Sequence, residues 1–182
     1  MAILGILLGV MVPSLNPVLG FRVQRTTNSV AAALDRTKTE AMNRLIGEMK
    51  LERRQDGYYI SYYLHRGKKA NVAEEQAEKI APAGMRITYT SVSDKAGSAP
   101  QNKEMSEGDS LTITYDRATG EFLPLQNKVW TQDEIMEELE KGKDIPLTRE
   151  GRYCKEITIS GGFRTRTIQM ELDSGSYSIV AG

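Results

Sequence analysis

Hydrophobic and polar positions divide the chain into an apolar start and a polar remainder. Residues 1–23 carry one charge, Arg22, and the segment from Ala2 to Val12 is apolar on every side of a helix. A helix on a domain surface should instead show a polar face. From about residue 24 polar residues return, with a helical period. The pattern predicts one helix whose first half is apolar all round and whose second half is amphipathic.

The amphipathic half, residues 24–52, is predicted to pack one face on a globular head. Charged side chains such as Asp35 and Lys38 fall on the opposite side. A kinked helix over residues 2–51 would be about 75 Å long. The apolar positions repeat at the spacing of a single helix face, and they are Val30, Leu34, Ala41, Leu45 and Met49.

Beyond residue 52 the period changes from 3.6 to 2, which predicts half-buried strands of an antiparallel sheet. Three segments alternate in this way, at residues 58–65, 86–92 and 110–116. Gly120 is predicted to take a positive φ in a tight turn that pairs the third segment with residues 121–125.

The C-terminal region predicts three further strands, with turns at Gly161-Gly162 and Ser174-Gly175. Residues 53–182 thus form a predicted β-rich head, and the whole chain is expected to be α+β, with a long N-terminal helix packed on an antiparallel head. The core positions expected in the last strands are Ile157, Ile159, Ile168, Met170, Leu172, Tyr177 and Ile179.

Three other segments interrupt the strands. Residues 71–82 are predicted to form a short helix that stops before Pro82. Residues 131–142 predict a better-defined helix, because Thr131 and Glu134 make a capping box. The polar, Gly- and Ser-rich stretch 93–109 is expected to be a long mobile loop.

The opening segment AILGILLGVMVP resembles the N-terminal helix of type IV pilins and of the pseudopilins of type II secretion and competence systems. The order of small, branched and proline positions matches that family over about a dozen residues. Small residues at the family's helix interface permit close approach of neighbouring helices, and a helix proline removes one backbone donor. The residues that carry the resemblance are Ala2, Ile3, Leu4, Gly5, Ile6, Leu7, Leu8, Gly9, Val10, Val12 and Pro13.

The family's leader, its glycine–phenylalanine cleavage junction and its glutamate would lie upstream of Ala2 and are not in this sequence. A membrane-spanning helix needs about 20 apolar residues, and roughly nine more upstream would bring the segment to that length. We therefore hypothesise that Met1 is an internal methionine of a longer helix. An in-frame leader upstream of Met1 would support this hypothesis.

The resemblance implies a structural subunit, a minor pilin or pseudopilin of a type IV pilus, type II secretion or competence filament. Its implied partners are other subunits through the N-terminal helix, the membrane, and the inner-membrane assembly machinery. The implied location is the bacterial cytoplasmic membrane, single-pass, with the head outside the cytoplasm and at the periplasm or cell surface after assembly.

Composition argues against several other classes of protein. Acidic and basic residues balance at 24 each, so no global field draws the chain to nucleic acid. A basic patch of Arg152, Lys155, Arg164 and Arg166 would suit phosphate contacts, but a solvated strand face is the commoner meaning of such residues. Nucleic acid is therefore not the expected partner.

No catalytic or metal chemistry is expected, and no cofactor. The single histidine, His65, and the single cysteine, Cys154, lie in no recognisable local signature, and both are interpreted as structural. They do not meet the ligand count of a zinc site. The acidic stretch around Glu107 and Asp109 lacks the alternating register of a calcium loop.

Two alternatives from other classes remain open at this stage. One is a membrane-anchored extracellular module that binds a surface, a glycan or DNA, and the other is an exported enzyme held by the same arm. A lysine- and arginine-rich start upstream, without the cleavage junction, would favour a plain anchor. A head expressed from about residue 24 is expected to be soluble and monomeric, whereas the full chain should need detergent.

Overall fold

A computed structural model describes residues 2–43, 46–65, 73–74, 77–93, 98–125, 137, 140–141 and 151–182. For residues 2–17, 46, 64–65 and 73–74 it describes the backbone only.

One long helix, α1 (Ala2–Asn43), is followed by strands. The strands are β1 (Ile46–Arg54), β2 (Gly57–His65), β3 (Ala73–Glu74), β4 (Glu78–Pro82), β5 (Arg86–Ser93), β6 (Gln101–Glu104), β7 (Ser110–Thr114), β8 (Arg152–Gly161), β9 (Arg164–Glu171) and β10 (Ser176–Ala181).

The strands make two antiparallel sheets of five strands each. The first sheet has the order β3-β2-β1-β7, with β4 also paired to β2, and the second has the order β10-β9-β8-β5-β6. Helix α1 contacts β1, β2, β4 and β7 of the first sheet and β8 and β9 of the second. One helix therefore contributes to a core that both sheets share, and the architecture is α+β.

The buried face of α1 supplies Val23, Val30, Leu34 and Ala41 to that core. The last three confirm the sequence prediction for this helix face. Buried threonines do not leave unpaired hydroxyls here, since Thr37 donates to the carbonyl of Ala33, one turn back. Such back-bonding satisfies a polar group inside a helix at little cost.

The helix ends at Asn43, earlier than the sequence predicted. The prediction that residues 44–51 are helical is wrong for residues 46–51, the part that the structure describes. Met49 lies on β1, where it is buried between Tyr62 and Ile113 on the neighbouring strands. Leu45 lies outside the described residues. The expected boundary at residue 52 falls inside β1, so the head begins at residue 46. Met49 fits the helical spacing of the preceding residues, but the pairing of β1 with two neighbouring strands overrides this local preference.

The apolar half of the helix, expected to end at residue 23, overlaps the head. Val23 is fully buried, and Leu19 lies against the turn between β8 and β9. The head therefore packs on α1 from residue 19 onward. The residues that carry the family resemblance, 2–13, lie on α1, and their side chains are outside the described part of the chain.

The alternating segments form strands as predicted, at β2, β5 and β7, and the C-terminal region forms β8, β9 and β10. Gly120 has the predicted positive φ, at +73°. The expected pairing of residues 110–116 with 121–125 is present only next to the turn. Tyr115 and Phe122 form a bridge, and the N–H groups of Asp116 and Leu123 donate to the carbonyls of Glu121 and Thr114.

The expected core of the last strands is largely present. Ile157, Ile159, Ile168 and Met170 are buried, and Leu172 and Tyr177 are partly buried. Ile179 is wrong as a core position, since it lies on the edge strand β10 and is 39% exposed. An edge strand lacks a second neighbour to cover it.

Two interruptions differ from the expectation. The helix predicted over residues 71–82 is wrong, because its described residues include strands β3 and β4, which pair with the edge of β2. The stretch 93–109 contains strand β6, which pairs with β5. The helix predicted over residues 131–142 lies mostly outside the described residues; Glu137 and Glu140 within it are helical.

Candidate functional site

Helix α1 has one face on the head and the opposite face open. The open face is a continuous stripe along the described length of the helix, and it includes apolar as well as charged side chains. Phe21 on this stripe is 68% exposed, a high value for so large an apolar side chain. The exposed residues of the stripe are Val18, Phe21, Arg22, Arg25, Asn28, Ala32, Asp35, Arg36, Thr39 and Met42.

The turn between β8 and β9 lies against the N-terminal part of this helix. A Cβ atom built on Gly162, which has a φ of +60°, would lie 2.8 Å from Cδ1 of Leu19. A Cβ atom on Gly161 would lie 3.1 Å from Cγ2 of Val23. Two consecutive glycines therefore let the turn approach the helix closely, one of them with a backbone conformation that favours glycine.

The next residue in the turn, Phe163, is 93% exposed. Because Leu19 and Phe21 are about 200° apart around the helix, the turn that carries Phe163 and the side chain of Phe21 lie on opposite sides of α1. Aromatic side chains thus flank the helix on two sides where it meets the head.

Arginines surround the same part of the structure. Arg164 lies beside Gly20, and it lines a cavity of about 300 Å³ together with Arg166, Val23 and Gln24. Residues 2–34 and 157–170 contain no aspartate or glutamate. The region around the turn is therefore positively charged, although the whole chain is neutral.

A second groove, of about 330 Å³, lies on the other side of the helix. Arg22 and Arg25 of α1 line it with Glu78 and Lys79 of β4. Thr26 donates to the carbonyl of Ile80 and so fastens the helix to β4. This groove holds one acidic side chain among three basic ones, so the side chains that line it are positively charged overall, as Arg164 and Arg166 make the β8–β9 side.

At its C-terminal end α1 is fastened to the turn between β9 and β10. Nζ of Lys38 donates to the carbonyls of Ser174 and Gly175 at 2.9 and 3.1 Å. The hydroxyl of Tyr177 donates to Oδ2 of Asp35 at 2.8 Å. Burial, followed by this hydrogen bond, raises the pKa of Tyr177 to about 12. The tyrosine thus stays protonated and remains a donor at every physiological pH.

The four basic residues proposed from sequence as a patch do not gather. Arg152 lies at the start of β8 and donates to the carbonyls of Ser91 and Ala99. Arg164 pairs with Gly161 at the other end of the same strand, about 30 Å away at the rise of a strand. Only Arg164 and Arg166 share one site.

The residues with catalytic potential are not brought together. The Cys154 thiol is buried, and burial raises its pKa to about 12; a reactive cysteine has a lowered pKa. His65 ends β2 in the other sheet, and its side chain is outside the described residues. Within the described part of the chain, no three His, Cys, Asp or Glu side chains lie close enough to hold a metal ion.

The acidic loop has protein partners. Asp109 accepts hydrogen bonds from Nζ of Lys103 at 2.8 Å and from the backbone N–H of Ser106 at 2.9 Å. The lysine contact is the main cause that lowers the pKa of Asp109.

Sequence reasoning missed the exposed Phe163 and a buried acid, Glu48. Phe163 directly follows the turn predicted at Gly161-Gly162, and a phenylalanine in that position has no core position available. Glu48 falls within the helix predicted over residues 24–52, whose spacing gives no signal of its burial.

The fold and this surface define an α+β protein with one long N-terminal helix and two antiparallel sheets. No protein-family model, curated protein or solved structure matches the chain. Among the residues that the structure describes, no helix combines the length and the apolar character needed to cross a membrane.

Proposed function

We propose that this protein is a structural subunit of a bacterial filament of the type IV pilus, type II secretion or competence kind. It would act mechanically: the N-terminal part of α1 is held in the membrane before assembly and packs among the same helices of neighbouring subunits afterwards. The apolar segment Ala2–Val12 and the proline that follows it are the sequence features that support this.

The observation that carries the proposal is the division of α1 into two faces. One face is held by both sheets, through Val23, Val30 and Leu34. The other remains exposed along the outer side of the helix, where Phe21 is 68% exposed. A helix that served only the core of its own domain would have no need of large apolar side chains on its outer face.

The requirement for such a subunit is a helix that is stable in lipid and in a protein core. In lipid, helix association depends on close packing of small residues and not on the hydrophobic effect. Ala2, Gly5 and Gly9 supply small residues at the N-terminal end. The head, which packs on α1 from residue 19 onward, is then displayed around the filament.

The test is cysteine cross-linking along α1 in the full chain reconstituted at high density in lipid. Cys154, the only native cysteine, is first replaced by serine. Ala32 and Ala33 are adjacent alanines, the first exposed and the second buried against the head. Ala32→Cys should form disulfide-linked pairs between copies upon oxidation, whereas Ala33→Cys is the matched control and should not.

Equal cross-linking of both variants, or of neither, would contradict subunit packing through the outer face of α1. A chain that inserts in lipid and never cross-links at Ala32 would instead favour the membrane-anchored binding module. The N-terminal mass of the protein from its native source gives a second, independent test. A methylated N-terminal phenylalanine followed by glutamate, upstream of Ala2, is the processed start that this class of subunit requires.

A further inference from the structure

The turn between β8 and β9 is the most exposed apolar feature of the described head. Phe163 at its tip is 93% exposed, and the turn cannot move closer to the helix to cover it, since Gly162 and Leu19 are already in close contact. Single exposed apolar residues are common on protein surfaces. This one differs because two further exposed apolar side chains, Val18 and Phe21, lie on the adjacent turn of α1.

The charged side chains that follow these apolar residues on α1 and in the turn are positive. Arg22 follows Phe21 on the helix, and Arg164 follows Phe163 in the turn, where it lies beside Gly20. With a rise of 1.5 Å per residue, Arg22 and Arg25 lie about 5–9 Å beyond Leu19 along α1, toward the C-terminal end of the helix. An apolar layer thus precedes a cationic layer in the direction from the apolar segment toward the head.

This order is the one that an anionic membrane surface would accept. Aromatic and aliphatic side chains enter the boundary between headgroups and acyl chains, while arginines remain at the level of the phosphates. Each arginine near an anionic surface favours the bound state by about fivefold. A second copy of this chain would have to present several acidic side chains at the same level. Residues 2–34 and 157–170 contain none, and the groove beside Arg22 holds Glu78 among three basic side chains.

We propose that the β8–β9 turn is a second membrane contact of this protein. Phe163 lies in the interface of an anionic bilayer, and Arg164 and Arg22 lie at the level of the lipid phosphates. This inference rests on the proposed insertion of the N-terminal helix. It adds that the head is held in a fixed orientation on the membrane and does not swing freely on the helix. Release of this contact would then accompany any step that extracts the subunit from the bilayer.

The experiment measures quenching of a single tryptophan by lipids with brominated acyl chains. The full chain is placed one copy per lipid nanodisc, in a mixture of phosphatidylcholine and phosphatidylglycerol. Trp130, the only native tryptophan, is replaced by phenylalanine. Phe163→Trp then reports on the β8–β9 turn, and Asp173→Trp is the matched control in the turn between β9 and β10, at the other end of the head.

We expect brominated lipid to reduce the emission of Phe163→Trp by about half, the behaviour of a residue at the headgroup boundary. The emission of Asp173→Trp should not change. Arg22→Gln and Arg164→Gln are then added to the Phe163→Trp variant. Each should lower the ratio of molecules with a lipid-bound turn to molecules with a free turn by about fivefold. Arg117→Gln, at an exposed arginine in the loop after β7, is the control for loss of charge.

Two results would overturn the proposal. One is emission of Phe163→Trp that brominated lipid leaves unchanged, and the other is quenching that requires two or more copies per disc, which would assign the turn to contact between subunits. A Leu8→Trp variant separates this failure from failure of the proposed function. If Leu8→Trp is quenched and Phe163→Trp is not, the helix inserts and only the second contact is wrong. If Leu8→Trp is not quenched, insertion itself is wrong and the inference falls with it.

Discussion

Replacing Glu48 with glutamine should make the stability of the protein less dependent on pH, because this carboxyl group is buried on β1. The residue is 3% exposed, and Oε2 has no hydrogen-bond partner within the described part of the chain. Its neighbours across the sheet are Tyr63 and Thr114, and the Thr114 hydroxyl donates to the carbonyl of Gly47. The charged form of Glu48 therefore loses water and gains no compensating partner from Thr114.

Burial raises the pKa of Glu48 from 4.5 to about 7. At about 1.4 kcal/mol per pKa unit, this rise corresponds to about 3 kcal/mol of differential stability. The folded state holds the proton more tightly than the unfolded state does. The stabilisation is thus fully present below the unfolded pKa, and it is lost as the pH rises through about 7.

Thermal unfolding of the full chain in a mild nonionic detergent, followed by circular dichroism, measures this effect. The free energy of unfolding of Glu48→Gln should exceed that of the wild-type protein by about 3 kcal/mol at pH values above about 8, and the difference should vanish below about pH 4. For a chain of this size, that is a difference of roughly 6–12 °C in Tm.

Glu52→Gln is the control, because Glu52 lies on the same face of β1 and is only partly exposed, with its carboxylate 2.9 Å from Nη2 of Arg54. It should keep the wild-type dependence on pH. Parallel curves for wild type and Glu48→Gln over the whole range would refute the reasoning, since the carboxyl group would then be as well solvated when folded as when unfolded.

Three further outcomes follow from the packing. Gly47→Ala places a Cβ atom 2.4 Å from a backbone nitrogen of α1 and should lower the free energy of unfolding, measured by urea denaturation, by about 3 kcal/mol. Gly84→Ala is the control and should leave the free energy of unfolding unchanged, because its Cβ atom would have no neighbour within 4 Å. Ile168→Ala should lower it by about 2–5 kcal/mol and Ile179→Ala by less than about 1 kcal/mol, because only the first is buried; equal losses would place β10 in the core. Cys154 should react with a disulfide reagent far more slowly in the folded protein than in denaturant, and rapid reaction of the folded protein would contradict its burial.

Much of the fold was predictable because the relevant signals are local. The alternation in residues 58–65 and 86–92 identified β2 and β5, and the paired glycines at 161–162 identified a hairpin. The buried face of α1 was visible from the spacing of Val30, Leu34 and Ala41. Each of these patterns involves residues within a few positions of one another, and a helix or a hairpin orders them in the same way in any fold.

The end of α1 was not predictable in the same manner. Residues 46–54 fit a helix through Met49 and fit a strand through Met49 and Leu51 equally well. The choice depends on β2 and β7, which lie on either side of β1, and on Gly47, which permits the close approach of the helix backbone. Contacts between residues distant in sequence thus decided an ambiguous local pattern.

The candidate surface shows the same division. The sequence alone established a neutral chain with an apolar N-terminal segment, an amphipathic helix and a β-rich remainder. Only the tertiary structure placed Gly162 beside Leu19, separated Arg152 from Arg164, and buried Glu48 between two strands. Periodicity tells which residues share a face of one element, whereas the position of that face relative to other elements depends on long-range pairing and packing.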